Sequence, residues 1–252
     1  MTDSAIEQNF ADAALAYDEH ASVQRESAAD LLDFTLPHRA ETAFEPGCGT
    51  GIYTGLLLEA FPKAKLLCVD IAEDMLEVAR SKYGHAASFR RADAEEMAEG
   101  PWDLITSNAT FQWFNDLEET LSRYRGMLQP GGLLTFSFFG PRTYQELDEA
   151  LNRATDGKRR VAASGFADRQ RIERLLDQNF PTWSVQEQRY VRAYDSLGDL
   201  LSTIKYTGVR GAPRPAASGW SLPLISQTRR EYRQSFGCIR ASYQVFLCRG
   251  EI

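Results

Sequence analysis

The stretch A-E-T-A-F-E-P-G-C-G-T-G, residues 40–51, decides the fold. Ala43 and Phe44 are typical of the end of a short strand, and the glycines that follow form a turn. The next residues, I-Y-T-G-L-L-L-E-A-F (52–61), read as a helix that stops before Pro62. Because glycines carry no Cβ, a ligand can approach the backbone of such a turn closely. The sequence therefore predicts a ligand site between the first strand and the first helix of an α/β unit.

The alternation of strands and helices continues on the carboxyl side of this turn. Apolar runs predict strands at 65–72, 102–109 and 133–140, and residues 88–95 read as a third strand with its exit loop. Helices that include 72–84 and 117–128 separate these strands. Such alternation is typical of βαβ units in a mostly parallel sheet. Further on, helices are predicted at about 143–155 and 168–178, and strands at 185–194 and 241–249. The helical segments 1–38 and 196–236 lie outside the alternation, and we expect them to form a cap on a single domain of residues 1–252.

Composition narrows the functional classes. The chain has 252 residues, 43% of them hydrophobic, and a net charge of −7 that argues against nucleic acid as the main partner. No apolar run approaches the ~20 residues of a membrane span, and the first ten residues lack the pattern of a secretory signal. The four cysteines and three histidines are dispersed without metal-ligand spacing. We expect a cytoplasmic protein with reduced thiols, no metal and no membrane contact.

Three acidic positions sharpen the glycine signal, which alone also fits dinucleotide binders and plain turns. Glu45 precedes the glycines, where it would repel a pyrophosphate but suit a cation such as the aminoacyl end of S-adenosylmethionine. Asp70 ends the next strand, where a carboxylate accepts ribose hydroxyls. Asp93 follows the third strand, where an adenine amino group needs an acceptor. Carboxyl ends of parallel strands share one edge, so the three acids should converge on one crevice.

In order, E-P-G-C-G-T-G, V-D, A-D-A-E, S-N-A and L-x-P-G-G resemble the class I methyltransferases over roughly residues 40–140. The resemblance implies a Rossmann-like, seven-stranded sheet whose last strand inserts antiparallel, with S-adenosyl-L-methionine as cofactor. It places Gly47, Gly49 and Gly51 at the methionine end, Asp70 at the ribose, Asp93 and Ala94 at the adenine, and Asn108 below the sulfonium. The predicted cofactor-binding residues also include Gln24, Glu45, Ile71 and Met75. Of these, Met75 either packs on the adenine or fills an ordinary core position. A nicotinamide-dependent dehydrogenase is disfavoured by the acid before the glycines and by the G-x-G-x-G spacing.

Further blocks extend the resemblance to nearly the whole chain. They are A-x-x-Y-D-E-H-A-x-x-Q (14–24), S-N-A-T-F-Q-W (107–113), F-S-F-F-G-P-R-T-Y-Q-E-L (136–147), L-x-x-I-K-Y-T-G-V-R-G-A (201–212) and Y-Q-V-F (243–246). Together they are similar to the BioC family, the malonyl-acyl-carrier-protein O-methyltransferases of biotin synthesis. Trans-aconitate methyltransferases share N-A-x-x-Q-W, so K-Y-T-G-V-R-G-A is the discriminating block.

This second resemblance implies methyl transfer to the free carboxylate of a malonyl thioester on acyl carrier protein. Such an acceptor needs no general base, and the motifs supply no obvious one. Tyr17 would close over the methyl group or bind the carboxylate, unless it only packs between helices. His20, on the same predicted helix face, is either catalytic or structural. Trp113 would wall the acceptor pocket, Arg142 would pair with the malonyl carboxylate, and Lys205 would orient the substrate.

A basic stretch near the C-terminus suggests a docking face for an acidic carrier protein. Seven basic residues lie between positions 205 and 240, with Glu231 as the one acid among them. The candidate docking residues are Arg210, Arg214, Arg229, Arg230 and Arg233, and the alternative is a solvated helix face. Two other functions stay open: a methyltransferase for a free metabolite such as trans-aconitate or a quinone, and a non-catalytic protein that only binds S-adenosylmethionine.

Overall fold

The computed structural model describes residues 3–207 and 220–252, with side chains from residue 7 onward. Within these ranges, seven strands form one sheet of order β3-β2-β1-β4-β5-β7-β6. The strands are β1 Thr42–Pro46, β2 Lys65–Asp70, β3 Ser88–Arg91, β4 Trp102–Ser107, β5 Leu128–Phe139, β6 Thr182–Tyr194 and β7 Ile239–Glu251. The first five strands are parallel, and β7 lies antiparallel between β5 and β6. The predicted class I methyltransferase sheet is confirmed.

Helices cover both faces of the sheet, which explains why its central strands are nearly continuous apolar runs. The described helices are α1 Asp3–Ala11, α2 Tyr17–His20, α3 Ser22–Thr35, α4 Ile52–Ala60, α5 Glu73–Tyr83, α6 Leu117–Met127, α7 Gln145–Ala154, α8 Arg169–Asn179, α9 Leu197–Tyr206 and α10 Leu222–Phe236. One core lies between the sheet and α3, α4 and α7, and it includes Leu104 and Leu133. The other lies against α6 and α8 and includes Phe44 and Phe136.

Several element boundaries differ from the prediction, and two of the differences have a visible cause. Strand β5 begins at Leu128, five residues before the predicted start, because Leu128 pairs with Trp102 before the register shifts at a bulge. The N-terminal segment is not one helix. It turns after α1, and Ala21 (φ −86°, ψ 37°) separates α2 from α3. Leu15 lies in the turn with 94% of its surface exposed.

The predicted cap segments contact different parts of the sheet layer. Helix α3 packs on α4, β5 and β7, whereas α1 packs on α5 and α2 contacts α9. Helix α10 packs mainly on α7. Helices α1 and α2 therefore pack on other helices, whereas α3, α9 and α10 also contact strands between β5 and β7. Among the described helices, none is both long and apolar enough to cross a membrane.

Candidate active site

A cavity of about 930 Å³, partly open to solvent, lies at the carboxyl ends of β1, β2 and β4. It brings together residues that the sequence spreads over a hundred positions. The predicted site residues that line it are Tyr17, Gln24, Glu45, Gly47, Gly49, Asp70, Ile71, Met75, Asp93, Ala94, Asn108 and Trp113. The crevice expected from the three acids is therefore present as a single concave site.

The glycine turn forms the floor of the cavity. Gly47 has φ +69°, and a Cβ built there would lie 2.3 Å from the Thr110 side chain. Gly49 has φ +54°, and a Cβ built there would meet nothing within 4 Å. The turn thus approaches β4 closely at Gly47 and leaves an open surface at Gly49. Gly51, predicted to line the methionine end, instead starts α4 at φ +85°, where a built Cβ would lie 3.1 Å from the Tyr83 ring.

Asp70 is fixed at the end of β2 by backbone donors. Its Oδ2 accepts a hydrogen bond from Gly49 N (2.8 Å) and its Oδ1 accepts one from Ala72 N (3.0 Å). Burial raises the pKa of Asp70 above its ordinary value, and these backbone hydrogen bonds oppose that rise. A carboxylate has about four lone-pair positions, so two remain to accept hydroxyls of a ligand.

Glu45 is almost completely buried on β1, with 1% of its surface exposed. Its Oε2 accepts hydrogen bonds from Thr54 Oγ1 (2.6 Å) and Cys68 Sγ (3.3 Å). Burial raises the pKa of Glu45 to about 8, against the lowering effect of those two donors. A cation in the cavity would favour the ionised carboxylate and bring this pKa down. The chemistry of Glu45 therefore suits a positively charged ligand group.

Asn108 lines the cavity after β4, and its side chain holds α3 in place. Its Oδ1 accepts hydrogen bonds from Ser27 Oγ (2.9 Å) and Ser137 Oγ (2.7 Å). Its Nδ2 donates to the carbonyl of Gln24 at 3.0 Å. Because Oδ1 is saturated, the amide serves mainly to fix Gln24, which is itself 4% exposed and lines the cavity.

Three polar side chains, Asp18, Thr50 and Lys82, connect α2 to the glycine turn and are here called the Asp18 cluster. Asp18 Oδ1 accepts a hydrogen bond from Thr50 Oγ1 (2.6 Å), and Asp18 Oδ2 lies 2.6 Å from Lys82 Nζ. Lys82 Nζ also donates to the Thr50 carbonyl (2.9 Å). The cluster fixes Tyr17 in the cavity wall, where burial and the nearby charge of Asp70 raise the tyrosine pKa. Sequence reasoning missed Asp18 although Y-D was part of the quoted motif.

Aromatic rings close one side of the cavity. Trp113, from the 3-10 turn after β4, packs edge-on against Phe10 (6.0 Å between centroids) and Phe166 (5.5 Å). Phe10 and Phe114 also line the cavity. Phe10 was missed, although its spacing of seven residues before Tyr17 was a usable signal. This wall gives the acceptor side an apolar surface.

The opposite end carries the predicted adenine residues. Asp93 Oδ1 accepts a hydrogen bond from Glu95 N (2.8 Å) and so starts the short helix Ala94–Glu96. Glu95, another lining residue, accepts from Asn115 N and Asp116 N, both at 2.9 Å. Met75 is 1% exposed, so it belongs to the core and to the cavity wall at once.

Three predicted catalytic residues lie outside the cavity lining. The break at Ala21 interrupts the helix between His20 and Gln24, and the His20 ring stacks on Tyr206 at 4.8 Å. The Nζ of Lys205 lies 5.1 Å from the centroid of the same Tyr206 ring. The contact of His20 with Tyr206 therefore joins α2 to α9, and neither His20 nor Lys205 lines the cavity.

Arg142 also lies elsewhere, in a second cavity of about 270 Å³. After β5, Gly140 N donates to the Gln244 carbonyl (2.9 Å) and Arg142 N donates to Gln244 Oε1 (3.0 Å). The chain therefore follows β7 at this point, away from β4. Sequence reasoning had placed Arg142 at the rim of the acceptor pocket.

The structure describes only part of the basic stretch between positions 205 and 240. Arg229, Arg230 and Arg233 are exposed on α10, and Arg230 pairs with Glu231 at 3.2 Å. Arg210 and Arg214 lie outside the described residues.

Comparison with known proteins bears on the family and the fold. The methyltransferase domain family matches residues 44–136. A malonyl-[acyl-carrier protein] O-methyltransferase from Methylococcus capsulatus is 35% identical, and the match covers 94% of this chain and 89% of that protein. The second such enzyme of Ilyobacter polytropus is 30% identical over 98% of this chain and 91% of its own. The crystal structure of the YcgJ protein from Bacillus subtilis shares the fold, with a TM-score of 0.61, 18% identity and coverage of 89% and 97% of the two chains.

Proposed function

Since the chain belongs to the family of malonyl-[acyl-carrier protein] O-methyltransferases, we propose that it methylates the free carboxylate of a malonyl thioester on acyl carrier protein. The chain is an S-adenosylmethionine-dependent methyltransferase by family and fold. The finer proposal rests on one observation: the similarity spans nearly the whole chain, including the N-terminal segment that supplies Tyr17 and Gln24 to the cavity. We further propose that the methyl ester serves the synthesis of the pimelate part of biotin.

The cavity residues fit S-adenosylmethionine. The two open lone-pair positions of Asp70 match the ribose hydroxyls, and the bare surface at Gly49 admits the backbone approach of the methionine end. The buried Glu45 suits the positive charge of that end. Ile71, Met75, Asp93 and Ala94 would hold the adenine, and Asn108 would lie near the sulfonium. When bound, the cofactor supplies an activated methyl group.

The residues of the cavity have to align the acceptor and exclude water. In the displacement, a carboxylate oxygen forms a bond to the methyl carbon while the carbon–sulfur bond breaks, and its electron pair stays on sulfur. No proton is transferred, so this acceptor fits a lining that, among the described residues, contains no histidine or lysine. Tyr17 and the aromatic wall of Phe10, Trp113 and Phe114 keep the acceptor side apolar. A dry site favours this reaction because a cation and an anion give two neutral products.

The test is a methyl-transfer assay with labelled S-adenosylmethionine. Malonyl-acyl carrier protein, malonyl-coenzyme A and trans-aconitate are offered in parallel, and the label is checked for release by mild base as an ester. Rapid, base-labile labelling of the carrier protein supports the proposal. Labelling of trans-aconitate alone would replace it with methylation of a free metabolite, and cofactor binding without any labelling would favour a non-catalytic binding protein. The Asp70→Ala variant controls for a contaminating methyltransferase, since it removes the ribose acceptor.

The exposed arginines of α10 are the proposed docking face for the acidic carrier protein. Arg229, Arg230 and Arg233 are exposed on one helix, α10, in which Glu231 is the single acid. Opposite charges on two partners mainly accelerate association. The triple change of these arginines to glutamine should therefore lower kcat/KM for the carrier protein and leave that for malonyl-coenzyme A unchanged.

A further inference from the structure

The second cavity lies at the carboxyl end of β5, where β7 and β6 continue the sheet. Here it is called the Arg142–Arg189 cavity, and it is lined by Arg142, Gln145, Glu187, Arg189, Ser242 and Gln244. Its floor is formed by β7, with Ser242 2% and Gln244 6% exposed. The other residues come from the turn after β5, the start of α7, and β6. None of its lining residues belongs to the cofactor cavity.

The floor of this cavity is held in one arrangement. The Gln244 side chain accepts from Arg142 N (3.0 Å) through Oε1 and donates to Glu187 Oε1 (2.7 Å) through Nε2. A Cβ on Gly140 would lie 2.5 Å from Gln244 Oε1, so this amide is packed against bare backbone. The floor of the cavity therefore contains a buried amide that is held by hydrogen bonds at both its oxygen and its nitrogen.

The cavity has an excess of positive charge. Among the described residues, the Arg142 guanidinium has no hydrogen bond or ion pair, and Arg189 makes one hydrogen bond, to Ser242 Oγ at 3.0 Å. Glu187 is the one acid in the lining. The buried Glu146 beneath accepts from Ser242 N (2.9 Å) and Oγ (2.6 Å), with Arg240 3.8 Å away. Two arginines against one acid leave room for one negative charge on a ligand.

The position of this cavity connects the two parts of the proposed substrate path. On one side, α10 packs against α7 and β7, whose residues help to line the cavity. On the other side, Gln112 accepts from Phe139 N (3.3 Å) at the end of β5 and donates to the Ala109 carbonyl (2.6 Å). Ala109 lines the cofactor cavity. The Arg142–Arg189 cavity thus shares α7 and β7 with the packing of α10 and follows directly after the end of β5, where Phe139 is hydrogen-bonded to Gln112.

We propose that the Arg142–Arg189 cavity binds the phosphodiester of the phosphopantetheine arm, which carries the acyl group. This inference rests on the proposed function. A phosphodiester carries a single negative charge, which matches the charge excess. Guanidinium groups bind phosphate oxygens through paired hydrogen bonds, and Arg142 has all its donors available among described residues. The arm has to run from the carrier protein to the methyl donor, and this cavity lies on that route. Arg142 therefore positions the substrate by its phosphate and does not hold the malonyl carboxylate.

The experiment compares two acceptors that differ in the phosphate. Malonyl-acyl carrier protein contains the phosphodiester, whereas the malonyl thioester of N-acetylcysteamine lacks it. Arg142→Gln and Arg189→Gln should each raise KM for the carrier protein about tenfold, the size expected for loss of one charge-assisted contact at a partly exposed site. Both variants should leave kcat/KM for the small thioester within about twofold. Arg125→Gln, at the last turn of α6 on the opposite edge of the sheet, is the matched control for loss of charge.

Equal losses with both acceptors would overturn the proposal, because the arginines would then contact the malonyl carboxylate or support the fold. No loss with the carrier protein would overturn it as well. If the wild-type protein methylates neither acceptor, the proposed function has failed, and calorimetry decides on the cavity separately. Phosphopantetheine should then bind the wild-type protein more tightly than pantetheine does, with the difference lost in both variants. Equal binding of the two compounds would refute the phosphate site.

Discussion

Replacing Asp18 should weaken cofactor binding more than it lowers the stability of the whole fold, because the Asp18 cluster joins two walls of the cavity. Asp18→Asn keeps the side-chain size and an acceptor for Thr50, and it removes the charge opposite Lys82. The side chains of Asp18 and Lys82 are 41% and 31% exposed, so the ion pair contributes at most about 1 kcal/mol. Asp18→Ala also removes the acceptor for Thr50, for a total of about 2 kcal/mol. These values correspond to roughly fivefold and thirtyfold weaker cofactor binding.

The assay is calorimetric titration with S-adenosylhomocysteine at low and high salt. In the wild-type protein, salt should weaken binding, because it screens the half-exposed pair. Asp18→Asn should lack that part of the salt dependence. Asp33→Asn makes the same chemical change on an exposed position of α3 and should bind like the wild type. If Asp18→Ala binds the cofactor as tightly as the wild type, or loses no more than Asp33→Asn, the cluster does not position the cavity wall.

Two further predictions concern the floor of the cavity. Gly47→Ala should abolish cofactor binding and lower the unfolding temperature strongly, because its Cβ would overlap Thr110 at 2.3 Å and φ is +69°. Gly49→Ala has free space but a φ of +54°, so it should lose only about 1–2 kcal/mol of stability to backbone strain; calorimetric titration and thermal unfolding distinguish the two variants. For Glu45, a pKa of about 8 in the folded state against 4.5 unfolded means that the unfolded carboxyl ionises first as pH rises. Because of Glu45, the free energy of unfolding should therefore fall by about 1.4 kcal/mol per pH unit between pH 4.5 and 8. Urea titrations at several pH values should show that Glu45→Gln removes this contribution to the slope. Identical slopes in the wild type and the variant would show that Glu45 is not buried as a neutral acid.

The cofactor half of the site was predictable because it depends on local spacing and one general rule. Strand, turn and helix are adjacent in sequence at Glu45 to Gly51, and carboxyl ends of parallel strands meet at one edge. Asp70 and Asp93 could therefore be placed from the alternation of elements alone. The prediction required no knowledge of which residue contacts which.

The acceptor half of the site depends on contacts between segments that are distant in sequence, and no local pattern encodes such contacts. The helix break at Ala21 turned His20 toward Tyr206 on α9, nearly two hundred residues later in the chain. Arg142 follows β7 because its backbone binds Gln244, again about a hundred residues away. Asp18 was missed for the same reason, since its partners Thr50 and Lys82 come from the glycine turn and α5.

The distribution of charge along the sheet edge connects these observations. The cofactor cavity presents Glu45 and Asp70, which suit a positively charged ligand, and the Arg142–Arg189 cavity presents two guanidinium groups without an ion pair among the described residues, which suit a negatively charged one. Both lie at the carboxyl edge, but the strands between them are apolar, with Phe138 and Phe139 almost fully buried. Because charges interact more strongly in an apolar interior than in water, each cavity favours a ligand of opposite charge. The two cavities share no lining residue, so each ligand meets its own counter-charge, and the uncharged aromatic wall of the cofactor cavity is left for the step in which cation and anion become neutral products.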